Sequence, residues 1–167
     1  LDDYVSRLRK ALGADRIARR PPGYQLRVEP GELDIDRFEH LFQEGREAFA
    51  GGDPSRALEL IEAALGVWRG PALADVLFEP IAEGEAERLE ERRLQAHEER
   101  CETSLALGRD AELIAELELL IRDHPFRERP LAQLMLALYR AGRQAEALAA
   151  FRMASRRFSE ELGLKPG

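Results

Sequence analysis

The chain has 167 residues, of which 44% are apolar and 34% are charged, as expected for one globular domain or two small ones. Its net charge of −7 argues at first against nucleic acid, because Lys and Arg supply most of the affinity for phosphate. No apolar run is long enough for a membrane span, and no signal-peptide pattern opens the chain. A single cysteine, Cys101, cannot form an internal disulfide, so these features together predict a cytoplasmic protein without membrane contact.

The charge is unevenly distributed along the chain. Residues 1–28 carry seven basic and three acidic side chains, a net of +4. The remaining residues carry 18 basic and 29 acidic side chains, a net of −11. Such an asymmetry indicates a nucleic-acid arm joined to a different kind of module.

The first predicted element is an amphipathic helix over residues 1–12, which ends at Gly13. Its apolar face consists of Leu1, Val5, Leu8 and Leu12. Two short strands, at 17–19 and 24–28, then flank Arg20-Pro21-Pro22-Gly23 and predict a β-hairpin with a basic tip. A basic helix followed by a basic hairpin is the geometry of a winged helix, in which the helix enters the major groove. The alternative is a solvated basic helix that packs on the rest of the chain.

The rest of the sequence predicts helices separated by Gly and Pro, at 34–51, 54–68, 81–107, 110–123, 127–141 and 143–162, with a loop at 69–80. Gly108 and Gly142 lie 34 residues apart and are followed by similar sequences, and Gly52 opens a third copy. A period of 34 residues is that of the tetratricopeptide repeat, so an insertion of about 22 residues separates the first copy from the second. The predicted fold is therefore mainly α, with tetratricopeptide-like hairpins that leave a concave surface for a partner.

No catalytic chemistry is predicted. His40, His97 and His124 are far apart and lack a ligand partner at metal-binding spacing, and no phosphate-binding Gly-rich loop is present. The charged pairs along residues 81–107 are interpreted as an i,i+4 ladder on a solvent face; they are Glu90-Glu91, Arg92-Arg93, Glu98-Glu99 and Arg100. The sequence thus predicts a protein that is not an enzyme and needs neither a cofactor nor a metal.

Two groups of motifs carry a resemblance to a known family. In the basic segment they are Tyr4–Gly13, Ile17 and Arg20–Leu26, which resemble the recognition helix and wing of OmpR-type DNA-binding domains. Further along they are Leu33–Phe38, Trp68–Leu73, His124–Glu128, Leu136–Leu148 and Glu161–Gly167, which resemble the bacterial transcriptional activation domain. The combination is similar to the Streptomyces antibiotic regulatory protein family.

The resemblance implies a transcriptional activator that binds direct repeats in promoter DNA, with a second copy as a partner there, and contacts RNA polymerase including its sigma factor. By this resemblance, residues 1–30 form the C-terminal part of a winged helix and residues 31–167 form the activation domain. The implied DNA contacts are Ser6, Arg7, Arg9 and Lys10 in the recognition helix and Arg19 and Arg20 in the wing, with Arg20 in the minor groove.

One departure from the family pattern leaves a second function open. The leading strands and first two helices of the winged helix are expected before Leu1. In similar proteins, further regulatory domains follow the segment that ends at Gly167. The alternative is therefore a protein-interaction module of a larger regulator that holds an adjoining domain or other partner and does not itself bind DNA.

Overall fold

The structure, a computed structural model, describes residues 2–76 and 80–166. Leu1, which was predicted to lie on the apolar face of the first helix, falls outside this range, as do residues 77–79 of the predicted loop and Gly167. The chain divides into two compact units, Leu1–Arg37 and Phe38–Gly167, which we call the head unit and the repeat unit. The described residues are mainly helical, with one β-hairpin, which confirms the predicted fold class.

The head unit contains a helix followed by a hairpin. Helix α1 spans Asp2–Leu12, and strands β1, Ile17–Arg20, and β2, Gly23–Leu26, pair in antiparallel register. Gly13 takes a φ of +104°, which lets the chain turn sharply between α1 and the 3-10 turn that precedes β1. Each strand has four residues, and the prolines at the tip end the β ladder there because proline has no backbone N–H to donate.

The predicted apolar face of α1 was only partly right. Val5 is buried, as is Ile17 of β1, but Leu8 and Leu12 are about half exposed. The physical reason is the small size of the hairpin, since the remaining residues of β1 are Ala18 and two arginines. The strand therefore offers the helix little apolar surface beyond one isoleucine.

The repeat unit consists of helices that pair as hairpins. Their bounds are α2 Asp34–Ala50, of which the residues from Phe38 onward belong to this unit, α3 Pro54–Leu65, α4 Pro80–Ala106, α5 Asp110–Asp123, α6 Glu128–Arg140 and α7 Gln144–Leu162. Helix α3 begins as the sequence predicts, with the Asp53 side chain accepting a hydrogen bond from the Arg56 backbone N–H and proline at the first turn. The extra length in the middle of the chain lies in α4, which has 27 residues against 13 in α6, and in the connection that precedes it.

The three glycines that mark the repeats have the same conformation. Gly52, Gly108 and Gly142 take φ values of +83°, +74° and +76°. After each glycine, the next backbone N–H bonds to the carbonyl five residues earlier, at 2.9 Å, 3.0 Å and 2.8 Å. This is the Schellman ending of a helix, for which glycine is favoured because it has no Cβ to clash in the left-handed region. The sequence repeat is therefore also a structural repeat of the turn inside each hairpin.

The hairpins pack closely where their residues are small. At Gly45 of α2, an added Cβ would lie 2.7 Å from Ile61 Cγ1 of α3, so this contact needs glycine. Between α4, α5, α6 and α7 a single apolar cluster forms from Cys101, Leu105, Leu113, Ile114, Leu117, Leu134, Ala137, Leu138 and Ala147. Burial raises the pKa of the Cys101 thiol to about 12, so this cysteine is a neutral core residue.

The charge ladder predicted along α4 was right only in part: Arg93 pairs with Glu90 within the helix, but most of the other side chains bind partners outside it. Arg92 donates to Glu39 of α2 at 2.5 Å and 2.9 Å. Arg127, the residue before α6, donates to Glu98 at 2.7 Å and to Glu91 at 2.7 Å, and Glu98 is buried. An i,i+4 pattern read from one helix cannot show that a neighbouring helix supplies the partner.

Candidate nucleic-acid interface

Three of the six predicted DNA-contacting residues lie on one exposed stripe of α1. Ser6, Arg7 and Lys10 follow Asp3 at spacings of three, four and seven residues, which places all of them on the same side of a helix. All three are exposed. Arg7 lies 3.2 Å from Asp3, an exposed ion pair that water and salt screen strongly. The stripe can therefore present at least the Lys10 ammonium, and Arg7 after release of its weak partner, to an outside anion.

Arg9 lies on the other side of the helix and binds the protein itself. Its Nε and Nη2 donate to the carbonyl oxygen of Ile17 at 3.1 Å and 2.8 Å. Its guanidinium also lies 5.8 Å from the centre of the Tyr24 ring, a cation–π contact. Because Arg9 contacts both strands of the hairpin, its geometry is that of a residue that positions the hairpin against α1.

The hairpin carries the other two predicted residues. Arg19 is opposite Tyr24 and Arg20 is opposite Gly23 in the strand register. Successive residues of a strand point to opposite faces, so Arg19 shares the side of Ile17 and Tyr24, whereas Arg20 points away from it. Both arginines are exposed, and neither forms an ion pair within the part of the chain that the structure describes. Residues 16–28 contain no Asp or Glu, so the hairpin surface has no nearby anion of its own.

Arg16 is a structural residue of the head unit that the sequence analysis missed. Its Nη1 donates to the Arg27 carbonyl at 3.2 Å and to Glu32 Oε2 at 2.6 Å, and its Nη2 pairs with Glu32 Oε1. This hydrogen bond, together with one from the Glu29 backbone N–H, holds the pKa of Glu32 below its usual value. The pairing fixes the end of β2 to the segment before α2. The only local sequence signal near this pair is Pro30-Gly31, which predicts a turn just before Glu32.

The arrangement of exposed cations in the head unit suits the binding of phosphate groups. It offers exposed cations on a helix and on the hairpin joined to it, without a carboxylate between β1 and β2. Guanidinium and ammonium groups of this kind bind phosphate oxygens, and arginine can also bind guanine edges bidentately. Within residues 2–76 and 80–166, no group of three or more His, Cys, Asp and Glu side chains is arranged to hold a metal ion. No helix in the same ranges is long and apolar enough to cross a bilayer.

Comparison with protein families gives an independent result. The profile of the bacterial transcriptional activator domain matches residues 33–167. Regulatory protein AfsR of Streptomyces griseus is 46% identical over 163 residues, which cover 98% of this chain and 17% of AfsR. Transcriptional regulator RedD of Streptomyces coelicolor is 39% identical over 175 residues, which cover 100% of this chain and 50% of RedD.

A solved structure shares the fold. It is Mycobacterium tuberculosis EmbR in complex with a low affinity phosphopeptide, with a TM-score of 0.93 and 38% identity. The match covers 99% of this chain and 45% of the EmbR chain. The chain thus spans half the length or less of these three relatives. All three are named as regulatory proteins, and the similarity extends through both the head unit and the repeat unit.

Proposed function

We propose, from the premise that this chain belongs to the bacterial transcriptional activator domain family and to the Streptomyces antibiotic regulatory proteins, that it activates transcription by binding promoter DNA and RNA polymerase. Residues 1–30, as the C-terminal part of a winged helix, bind the DNA. Residues 31–167 bind proteins, including the sigma factor. The protein acts in the cytoplasm, on the nucleoid when bound. It catalyses no reaction.

One observation carries the DNA-binding part of the proposal. Lys10, Arg19 and Arg20 are exposed and have no carboxylate partner among the described residues, in a chain whose net charge is −7. Unpaired cations that cluster on one small unit of an otherwise acidic protein create a local positive potential, which favours the binding of an anion such as phosphate to that unit. The Arg9 hydrogen bonds to the Ile17 carbonyl support the same conclusion, because they hold helix and hairpin together as one surface.

Within this proposal the six residues have different roles. Ser6, Arg7 and Lys10 contact the groove or its phosphates from α1, and Arg19 and Arg20 do so from the hairpin. Arg9 positions the hairpin, since both its hydrogen bonds and its ring contact are to the protein. A second copy of the chain binds the adjacent direct repeat.

The test is binding to a fluorescent duplex carrying the promoter of an adjacent gene, followed by anisotropy. The double variant Lys10→Ala/Arg20→Ala is expected to bind about tenfold or more weakly, because it loses two phosphate contacts. Arg56→Ala is the matched control, an exposed arginine of α3 paired with Glu59 at 3.0 Å, and is expected to bind as the wild type does. Equal affinity of the double variant and the wild type would refute the assignment of the interface.

The second candidate function is a protein-interaction module without DNA binding. The observation in its favour is that three arginines of the head unit already have partners within the chain: Arg7 pairs with Asp3, Arg9 with the Ile17 carbonyl and Arg16 with Glu32. In that case the chain would show no DNA binding at moderate salt and would still bind polymerase or an adjoining regulatory domain. The same anisotropy titration, run beside a polymerase-binding assay, separates the two functions.

A further inference from the structure

A cavity of about 470 Å³ lies between α5, α6 and α7, where the third hairpin of the repeat unit packs on the second. This volume falls in the range of small-molecule sites. The buried side chains that line it are all apolar: Leu131, Leu134, Leu138 and Ala154. Both hairpins belong to the repeat unit, so the described residues themselves form the walls of the cavity. Helix interfaces are normally filled by side chains, so an unfilled one needs a physical explanation.

The internal repeat shows what the corresponding space holds elsewhere in the chain. The turn glycines Gly52, Gly108 and Gly142 set the correspondence, since the first two lie 56 positions apart and the last two 34. The interface of α5 with α6 and α7 therefore corresponds to the interface of α3 with α4 and α5. Three positions at the cavity have informative counterparts: Leu134 corresponds to Arg100, Ala150 to Glu116 and Glu118 to Glu62.

Between the first and second hairpins, one long cationic side chain occupies the corresponding place. Arg100 of α4 pairs with Glu116 of α5 and lies 3.8 Å from Glu62 of α3. Only 18% of its side chain is exposed, so its aliphatic stem packs between the helices while its guanidinium joins their carboxylates. Leu134 and Ala150, at the positions of Arg100 and Glu116, are shorter side chains. The cavity is the space that they leave open.

Glu118 keeps the carboxylate of this arrangement without the cation. It lines the cavity, is exposed, and forms no ion pair or hydrogen bond among the described residues. The other charged residues of the lining are all ion-paired: Glu146 with Arg143 at 2.6 Å, Arg122 with Asp123 at 3.1 Å and Arg157 with Glu161 at 2.9 Å. The unmatched charge at the cavity is thus negative, and it favours a cation.

We propose that this cavity binds a small molecule with an apolar body and one cationic head, an amine or a guanidinium group, which pairs with Glu118. The ligand takes between the second and third hairpins the place that the Arg100 side chain takes between the first and second. Its apolar body packs on Leu131, Leu134 and Leu138, which removes apolar surface from water. The inference uses only residues of the repeat unit, so it can be tested without DNA or polymerase.

The experiment is a methyl NMR titration of the chain with protonated octylamine, which has an apolar body and a single cation. Octanol and octanoate have the same alkyl chain length without the cation and are the ligand controls. Glu118→Gln removes the carboxylate at an exposed position, and Glu112→Gln makes the same change at an exposed residue of α5 outside the cavity lining as the matched control. Ala150→Leu fills part of the cavity. Circular dichroism verifies that each variant is folded.

We expect octylamine to shift the methyl resonances of Ile121, Leu134 and Leu138 saturably, and to bind about fivefold more tightly than octanol or octanoate. Glu118→Gln should weaken octylamine binding about fivefold and remove its advantage over octanol, because the variant loses one exposed ion pair. Glu112→Gln should bind as the wild type does. Ala150→Leu should abolish the shifts, because its larger side chain occupies the space of the ligand.

Three results would overturn the inference. The first is the absence of saturable shifts at these methyl groups, or equal affinities of the wild type for octylamine and octanol. The second is an equal effect of Glu118→Gln and Glu112→Gln, a comparison that decides the matter even if Ala150→Leu does not fold. The third is a wild-type dimer in sedimentation velocity that Ala150→Leu converts to monomer, which would show that a second copy fills the cavity.

Discussion

The two units of the chain use their cations differently. In the repeat unit, Arg92 of α4 binds Glu39 of α2, and Arg127, just before α6, binds Glu91 and Glu98 of α4. In the head unit, Arg9 and Arg16 also bind the protein, but Lys10, Arg19 and Arg20 have no carboxylate partner among the described residues.

The difference shows why the net charge of the whole chain is a poor guide to what this protein binds. Where acidic residues outnumber basic ones, neighbouring helices supply carboxylates and arginine becomes an internal cross-link. Where the strands contain no Asp or Glu, the same side chain stays exposed and available to phosphate. Local charge and local partners, more than the total of −7, decide what a cation can bind.

Removal of a buried carboxylate should cause the largest loss of stability. Glu98→Gln takes away the anion that accepts from Arg127 Nε at 2.7 Å inside the repeat unit. We expect the free energy of unfolding in urea to fall by about 2 kcal/mol, less than for a fully isolated buried ion because Arg127 keeps Glu91. Glu87→Gln, an exposed control on the same helix, should change it by less than about 0.5 kcal/mol. Equal effects of the two changes would contradict the inter-helix role of Glu98.

In the head unit, Arg9→Ala should loosen the hairpin. Loss of the two hydrogen bonds to the Ile17 carbonyl is expected to speed amide hydrogen exchange over residues 17–26 about tenfold. Lys10→Ala, next in the chain but exposed, should leave exchange there unchanged. If both variants exchange at the wild-type rate, Arg9 does not position the hairpin.

Acidification should weaken one inter-helix pair of the repeat unit. The Arg92 hydrogen bond holds the pKa of Glu39 below its ordinary value of 4.5, so the folded state binds its proton at lower pH than the unfolded state does. The stabilisation is therefore present above pH 4.5 and is lost as the pH falls through the lower folded-state pKa. Solvent screening limits it to about 0.5 kcal/mol or less. Urea unfolding of Glu39→Gln between pH 7 and 3 should show a smaller loss than the wild type, and a parallel loss would argue against the pair.

The smallest effect on stability is expected at the hairpin surface. Arg19→Ala/Arg20→Ala removes two exposed cations without partners among the described residues, so the midpoint of thermal unfolding should stay nearly constant. A clear drop would mean that these arginines support the fold, as Arg127 does. The exposed arginines of the head unit would then stabilise the protein itself, as the paired arginines of the repeat unit do.

Much of the fold could be predicted from the sequence because its signals were local. Gly52, Gly108 and Gly142 mark turns whose left-handed conformation depends on glycine itself, and Asp53-Pro54 starts α3 through its own backbone. The partners of Glu98 and Arg9 could not be predicted in this way. The partner of Glu98 is Arg127, which lies 29 residues further along the chain, and the partner of Arg9 is a backbone carbonyl with no sequence signature.

The candidate site was predictable only as a set of residues. The family resemblance implied Ser6, Arg7 and Lys10 as contacts and Arg9 with them, and the sequence of α1 gives no local sign that the Arg9 guanidinium turns towards the hairpin. The half exposure of Leu8 and Leu12 was missed for a related reason. How much apolar surface a short hairpin offers depends on tertiary packing and not on helical periodicity.

The most direct test of the central claim, that the head unit binds DNA phosphates, is the salt dependence of binding to a mixed-sequence 30-base-pair duplex. Phosphate contacts need no operator sequence. Each contact releases counterions from the DNA and adds about 0.9 to the magnitude of the slope of log affinity against log salt. We predict that Lys10→Ala/Arg20→Ala lowers the magnitude of that slope by about 2, whereas Arg56→Ala in the repeat unit leaves it unchanged. A wild-type affinity that does not change with salt, or equal slopes for the wild type and Lys10→Ala/Arg20→Ala, would contradict the account.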